Sequence, residues 1–139
     1  VCVMKLYKML FAGLAVVMFA NCEEPITKKE CGIIVFKGAD GHGLASAPTD
    51  LPFSDWNVAK QACEDLVLDG CSDWRLPTQE ELNQLYLNKD KIGGFGKFNS
   101  YWSSTEVGGN SAFTVEFDNG VNAAAPTNTK SSVRAVRAF

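Results

Sequence analysis

Ser72-Asp73-Trp74-Arg75-Leu76-Pro77-Thr78, running into Gln79-Glu80-Glu81-Leu82-Asn83-Gln84-Leu85-Tyr86, is the stretch from which the rest of the chain can be read. Trp74 and Leu76 form an apolar arm, Pro77 stops it, and Thr78 opens a helix. The Thr78 hydroxyl can accept from the backbone N–H of Glu81 while the Glu81 carboxylate reaches back to the N–H of Thr78, a reciprocal cap. Leu82, Leu85 and Tyr86 then fall three and four apart on one helical face. By itself this is a structural corner. Trp74, Leu76, Pro77, Thr78 and Glu81, with Trp102 further along, are expected to brace the fold and to touch no ligand.

Upstream, Ser54 or Asp55 can cap a first helix running to about Leu68, with Trp56, Ala59, Cys63 and Leu66 as its apolar stripe and Asp69-Gly70 as its stop. Ile33 to Phe36 reads as a buried strand and Leu44 to Pro48 as a second short one. Between them Gly38 to Gly43 has turn composition, and His42 within it reads as a loop hydrogen-bonder. Neither a Lys nor a helix follows, as a phosphate loop would need.

Downstream, the second helix ends near Lys89 to Lys91, and Gly93-Gly94-Phe95-Gly96 is a loop with an aromatic plug. Tyr101 to Glu106 reads as a strand. Phe113, Val115 and Phe117 alternate with Ala112, Thr114 and Glu116, the pattern of a strand with one wet face. Asp118-Asn119-Gly120 signals a hairpin turn. Val121 to Ser132 is small, polar and aperiodic, and Val133 to Phe139 makes a last strand. Two helices followed by short antiparallel strands define an α+β domain whose N- and C-terminal strands are free to pair.

The 139 residues leave room for one domain. Lys5 and Lys8 precede an apolar run, Met9 to Ala20, that is too short to span a bilayer comfortably. Met4 is an alternative start. Phe19-Ala20-Asn21-Cys22 followed by Glu23, Glu24 and Pro25 resembles a bacterial lipoprotein signal, in which the Cys becomes the lipidated first residue. Asn21 and Phe19 depart from the usual small residue and Leu. Residues 1–21 are therefore expected to be a signal segment, 22–30 a charged tether on lipidated Cys22, and 31–139 the domain. Ordinary secretion and an uncleaved anchor are the alternatives; all three export the domain.

The net charge is −3, and without the leader 11 basic groups face 16 acidic ones, or −5. That sign opposes nucleic acid and a polybasic membrane patch. Export leaves Cys31, Cys63 and Cys71 in an oxidising compartment, where one disulfide and one odd thiol is the natural arithmetic. Cys63 and Cys71 lie close in sequence across Gly70 and are the expected bridge; three buried unpaired thiols are the alternative. With no Cys-x-x-Cys and a single histidine, no metal site and no cofactor are expected.

Asp73-Trp74-Arg75-Leu76-Pro77-Thr78, Glu81-Leu82, Ile92-Gly93-Gly94-Phe95, Tyr101-Trp102-Ser103-Ser104-Thr105-Glu106 and Val133-Arg134-Ala135-Val136-Arg137-Ala138-Phe139 together resemble the DUF1566 family, also described as the C-terminal domain of the Legionella collagen-like adhesin. His42-Gly43-Leu44, Ala47-Pro48, Asp50-Leu51, Trp56 and Cys63-x-x-Leu66 fit the same pattern, so the resemblance covers about Cys31 to Phe139. It implies a C-type-lectin-like fold with paired terminal strands and a binding face of long loops, and a role as adhesin or receptor. The copper-binding cysteine pair of the related formylglycine-generating enzymes and the calcium motifs of true C-type lectins have no counterpart here.

In variable members of this family, made by diversity-generating retroelements, diversity falls between the Trp-Ser-Ser motif and the last strand. The matching segment is Val107 to Ser132. Gly108, Gly109, Asn110, Ser111, Phe113, Val121, Asn122, Ala123, Ala124, Ala125 and Thr127 are the candidate ligand contacts. Gly108 to Ser111 and Val121 to Thr129 are all residue types that can arise from an Asn AAC codon by adenine replacement; a plain low-complexity loop is the alternative. The expected ligand is a protein or glycan on another surface, with the membrane reached through the lipidated N-terminus. A Glu106–Glu116 carboxylate pair for glycoside hydrolysis is the enzymatic alternative, and a structural surface subunit is the third. Arg134 and Arg137 are expected to pair with Asp73 or Glu106 and not with a ligand.

Overall fold

A computed structural model describes residues 31–97 and 99–139. The leader, Cys22 and the tether lie outside the described residues. Eight strands and three helices follow one another as β1 (Ile33–Lys37), β2 (Gly43–Ser46), β3 (Leu51–Ser54), α1 (Trp56–Glu64), α2 (Gln79–Leu87), α3 (Lys89–Ile92), β4 (Ser100–Gly108), β5 (Ser111–Glu116), β6 (Asn122–Pro126), β7 (Ser131–Val133) and β8 (Val136–Ala138). They form an α+β domain with two sheets, ordered β1-β2-β8 and β3-β7-β4-β5-β6. The first and last strands thus share one sheet, with β2 between them.

The corner at residues 72–78 joins these layers largely through backbone atoms. Arg75 exchanges both of its backbone hydrogen bonds with Val136, at 2.9 Å each. The N–H of Ser104 donates to the Pro77 carbonyl at 2.7 Å, and the N–H of Gln79 to Thr105 Oγ1 at 3.0 Å. The reciprocal cap forms as expected: Glu81 N–H donates to Thr78 Oγ1 and Thr78 N–H to Glu81 Oε2. Arg75 adds a bidentate pair to the same carboxylate, at 2.7 and 2.8 Å. Burial pushes the Glu81 carboxyl up, but the hydrogen bonds from Arg75 and Thr78 outweigh it and hold the group below the usual carboxylate range.

Two hydrophobic cores lie on the two faces of the larger sheet. Along β4, Tyr101 enters the core of α2, with Leu82, Leu85, Val115 and Phe117. Its neighbour Trp102 enters the core of α1, with Trp56, Ala59, Cys63, Trp74 and Leu76. This alternation is the period of two expected of a strand. It also corrects the reading of β5 as having one wet face. Ala112 and Thr114 are buried, Ala112 against the α1 core, because helices cover both faces of the sheet. Each tryptophan N–H finds a carbonyl: Trp56 that of Ser103, Trp74 that of Cys71, Trp102 that of Ser54.

α1 ends at Glu64, short of the expected Leu68, and Asp55 supplies its cap. Asp69 and Gly70, read as a helix stop, instead form a two-residue hairpin with φ of 53° and 80°, closed by both backbone bonds between Leu68 and Cys71. Asp-Gly is the favoured pair where both central residues need positive φ. This turn corrects the disulfide. Cys71 bonds to Cys31, with Cα atoms 6.2 Å apart, and Cys63 is free and buried within α1. Burial, reinforced by the neighbouring Glu64, pushes the Cys63 thiol up to about 12, so it stays protonated and unreactive.

The expected strand Val133 to Phe139 is two strands. The chain leaves β7 at Val133, crosses at Arg134-Ala135, and enters the other sheet as β8. Arg134, fully buried at the crossing, donates to Asp50 Oδ1 at 2.7 Å and to the carbonyls of Ala47, Gly93 and Gly94. It also lies over the Phe95 ring, 3.9 Å from its centroid. Arg137 pairs with Asp73 at 2.7 Å, as expected, whereas Arg134 pairs with Asp50 and not with Glu106.

Candidate functional site

Val121 to Ser132, read from the sequence as aperiodic, contains the edge strand β6 and the short inner strand β7. β6 pairs with β5 in unbroken register, from Ser111 opposite Pro126 to Val115 opposite Asn122. Exposure along it has period two: Asn122, Ala124 and Pro126 are exposed, while Ala123, Ala125 and Thr127 are half-buried. Alanine-rich composition hides such a strand, since alanine carries almost no polarity contrast between faces.

The β4–β5 hairpin tip and the far end of β6 are brought together. Gly108, Gly109 and Asn110 turn the chain with φ of 92°, 58° and 56°. A β-carbon on either glycine would meet open space, so only the backbone conformation restricts those positions. The N–H of Thr127 donates to the Asn110 carbonyl at 2.8 Å, and the Thr127 carbonyl accepts from the N–H of Trp56 at 3.1 Å. Thr127 therefore ties the tip, β6 and the start of α1 at one point. Reasoning from sequence placed Thr127 on the surface but missed this tie, which is made by backbone and leaves no side-chain signal.

The other candidates divide by face. Phe113, half-buried, stands opposite exposed Ala124 on one face of the sheet. Ala125 packs against the α1 core, so this candidate contact serves the fold. Val121 is 51% exposed at the opposite end of β6, about 20 Å from Thr127 at strand rise. The surface is thus a ridge with a glycine-rich tip at one end and Val121 at the other.

A cleft of about 310 Å³ lies elsewhere, lined by Lys89, Asp90, Gly93 to Lys97 and Phe117. Its Lys89 ammonium donates to the Phe117 carbonyl at 2.9 Å and sits 4.2 Å over the Tyr86 ring. Phe95, the expected plug, packs against Tyr101 and Phe117. Tyr101 donates to Asp50 Oδ2 at 2.7 Å and accepts from the N–H of Gly96. Burial, with the hydrogen bond to Asp50, pushes the Tyr101 phenol up to about 12. Tyr101 and Asp50 thus hold the loop from beneath, and Lys89 closes one side of the cleft.

Glu106 stands opposite Ala112 and Glu116 opposite Ser100, at opposite ends of the hairpin. Four residues of β5 separate Ala112 from Glu116, about 14 Å, too far for a glycosidase pair at about 5–9.5 Å. His42 lies 3.3 Å, through Nδ1, from the Phe139 carbonyl, a loop contact. Among the described residues no three metal-ligating side chains converge, and no helix is long and apolar enough to cross a membrane.

Two sheets flanked by helices, with the terminal strands in one sheet, define a C-type-lectin-like domain. The crystal structure of botrocetin superposes with a TM-score of 0.50, covering 73% of this chain and 93% of that one at 10% sequence identity. The chain belongs to the family described as the Lcl C-terminal domain, whose profile matches residues 20–137. No curated protein matches the chain. Family and fold both fit a ligand-binding surface domain.

Proposed function

We propose that the chain is an exported protein, lipid-anchored through Cys22, whose domain binds a ligand on another surface as an adhesin or receptor. The ridge formed by Gly108 to Ser111 and Val121 to Thr127 is the binding surface. The observation that carries this reading is the tie at Thr127, which fixes two solvent-facing segments to a rigid scaffold through backbone atoms alone. Side chains at Asn110, Asn122 and Ala124 are then free to serve recognition at little expense to the fold. Recognition on scaffolded surface segments is the usual arrangement, and family and fold support it here. The reading assigns no catalytic step, cofactor, metal or nucleic acid.

The test is a binding screen of the full chain on glycan and host-protein arrays, repeated with Asn122→Lys combined with Ala124→Glu. Both positions are exposed, so the variant keeps its melting temperature and loses the hit. Retained binding by the folded variant removes the site assignment. Cys22→Ser ends incorporation of labelled palmitate if the anchor is lipid. Active diversification of the ridge requires an adenine-rich template repeat of this segment in the adjacent DNA, and sequencing that lacks one refutes it.

A further inference from the structure

The two sheets have four edges, and three carry devices that block strand addition. β1 has an irregular register between Ile34 and Phe36 and ends in Lys37. β3 contains Pro52 and is irregular between Leu51 and Ser54. β8 is covered by the backbone pairing of Val136 with Arg75. Bulges, lysines, prolines and covering segments are the known protections of sheet edges. β6 differs: its register is regular, residues 121–129 carry no charge, and its one proline, Pro126, is the last residue of the strand and blunts that end alone.

The groups that β6 leaves open follow from its ladder. Thr127 N–H bonds to Asn110 and Val121 C=O accepts from Glu116. In an antiparallel pair such bonds recur every second residue, so 121, 123, 125 and 127 direct their backbone groups to β5. Asn122 and Ala124 direct theirs outward. Pro126 has no N–H, and its carbonyl already accepts from the backbone and hydroxyl of Thr129. Two N–H and two C=O groups, spaced as one strand presents them to another, are therefore exposed behind small side chains.

Resting on the binding surface proposed above, we propose that its ligand is an extended peptide segment of a partner protein, which joins the sheet as a further strand along β6. A saccharide would need aromatic platforms and directed polar side chains; the ridge offers half-buried Phe113 and alanines. An extended backbone needs what Asn122 and Ala124 present, two donor–acceptor pairs, and strand addition takes its affinity from such main-chain bonds. Specificity comes from the row through Phe113 and Ala124. A peptide residue opposite Ala124 lies on the same face as Phe113 with only a methyl group between them. An apolar residue is favoured there, and proline is rejected opposite Asn122 and Ala124.

The experiment uses the full chain on an array of immobilised random heptapeptides, with a glycan array in parallel. Peptides with an apolar centre are expected to be captured. Ala124→Ser keeps the edge and retains binding, whereas Ala124→Pro removes an outward N–H, a change edge strands tolerate, and weakens binding about 10-fold or more. A second measurement guards against misfolding of that variant. In the unaltered chain, hydrogen exchange at the Asn122 and Ala124 amides slows about 10-fold when a captured peptide binds. Peptides that bind without this protection overturn the inference, as does an array that captures none. A glycan held on the ridge overturns it while leaving the binding surface standing; a ligand that maps away from residues 108–127 overturns both. Concentration-dependent pairing of two copies through β6, abolished by Ala124→Pro, would replace the partner peptide with the chain itself.

Discussion

Removing the Cys31–Cys71 bridge tests the arrangement on which the α1 core depends. The bridge closes a loop with a sequence separation of 40. The chain-entropy relation for a loop of that length gives about 4 kcal/mol at 25 °C. Against a total stability of about 5–15 kcal/mol for a domain of this kind, that is the difference between a folded and a marginal protein. With a urea slope of about 1.5 kcal/mol/M, the double variant Cys31→Ser with Cys71→Ser is expected to unfold some 2–3 M earlier. Tryptophan fluorescence is a suitable probe, since Trp56, Trp74 and Trp102 all sit in the affected core. Cys63→Ala, which trims one buried side chain, is expected to change stability by about 1 kcal/mol. Peptide mapping under non-reducing conditions should recover Cys31 linked to Cys71. If Cys63 is found in the linked peptide, or if Cys63→Ala and not the double variant causes the large shift, the reasoning fails.

Trp74→Ala should cost about 3–5 kcal/mol by aromatic truncation in the core; a thermal melt within a few degrees of the parent would contradict its role as an anchor. Glu81→Gln should destabilise near neutral pH and not in strong acid. The folded carboxyl lies below its ordinary range, so its contribution exists above the unfolded pKa and vanishes as pH falls through the folded one. Urea melts at pH 7 and pH 2.5 check this, and an equal difference at both would refute it. Tyr101 has the opposite sign: its pKa is raised to about 12, so stability falls as pH rises from its unfolded value near 10 toward 12. Tyr101→Phe should remove about 2–3 kcal/mol of that alkaline loss, while weakening the domain at neutral pH through the lost bonds to Asp50 and Gly96.

The corner and its helix were legible because capping is local: Thr78 and Glu81 are three residues apart, and their chemistry is complete within one turn. The stripe Trp56, Ala59, Cys63 was equally plain, since apolar side chains at helical spacing need only a core to face. What escaped was non-local. Nothing in residues 121–132 announces that Asn122–Pro126 lies against β5, because the strand is specified by its partner and alanine is indifferent to either face. The wet face expected of β5 was lost for a related reason: Ala112 and Thr114 look solvent-compatible, and only the distant residues of the core on that side, Trp56 and Trp74 among them, bury Ala112. The disulfide was misassigned because Cys63 and Cys71 are near in sequence, while the hairpin at Asp69-Gly70 turns Cys71 toward Cys31. Arg134 could be found as a buried cation, but its partner Asp50 is 84 residues away, beyond any local pattern.

The sulfur bridge also decides how the domain carries a load. A pull arriving through residue 30 enters at Cys31 and passes directly to Cys71, at the foot of the corner. The residues between them, including β1, β2, β3 and α1, lie inside a covalently closed loop and cannot be drawn out by it. Tension is handed instead to the corner and, through Pro77 and Gln79, to the hairpin of β4 and β5. Under tension applied between Cys31 and the β4–β5 hairpin, the domain would yield in shear across the paired backbone bonds of Arg75 and Val136, and not by peeling its first strand.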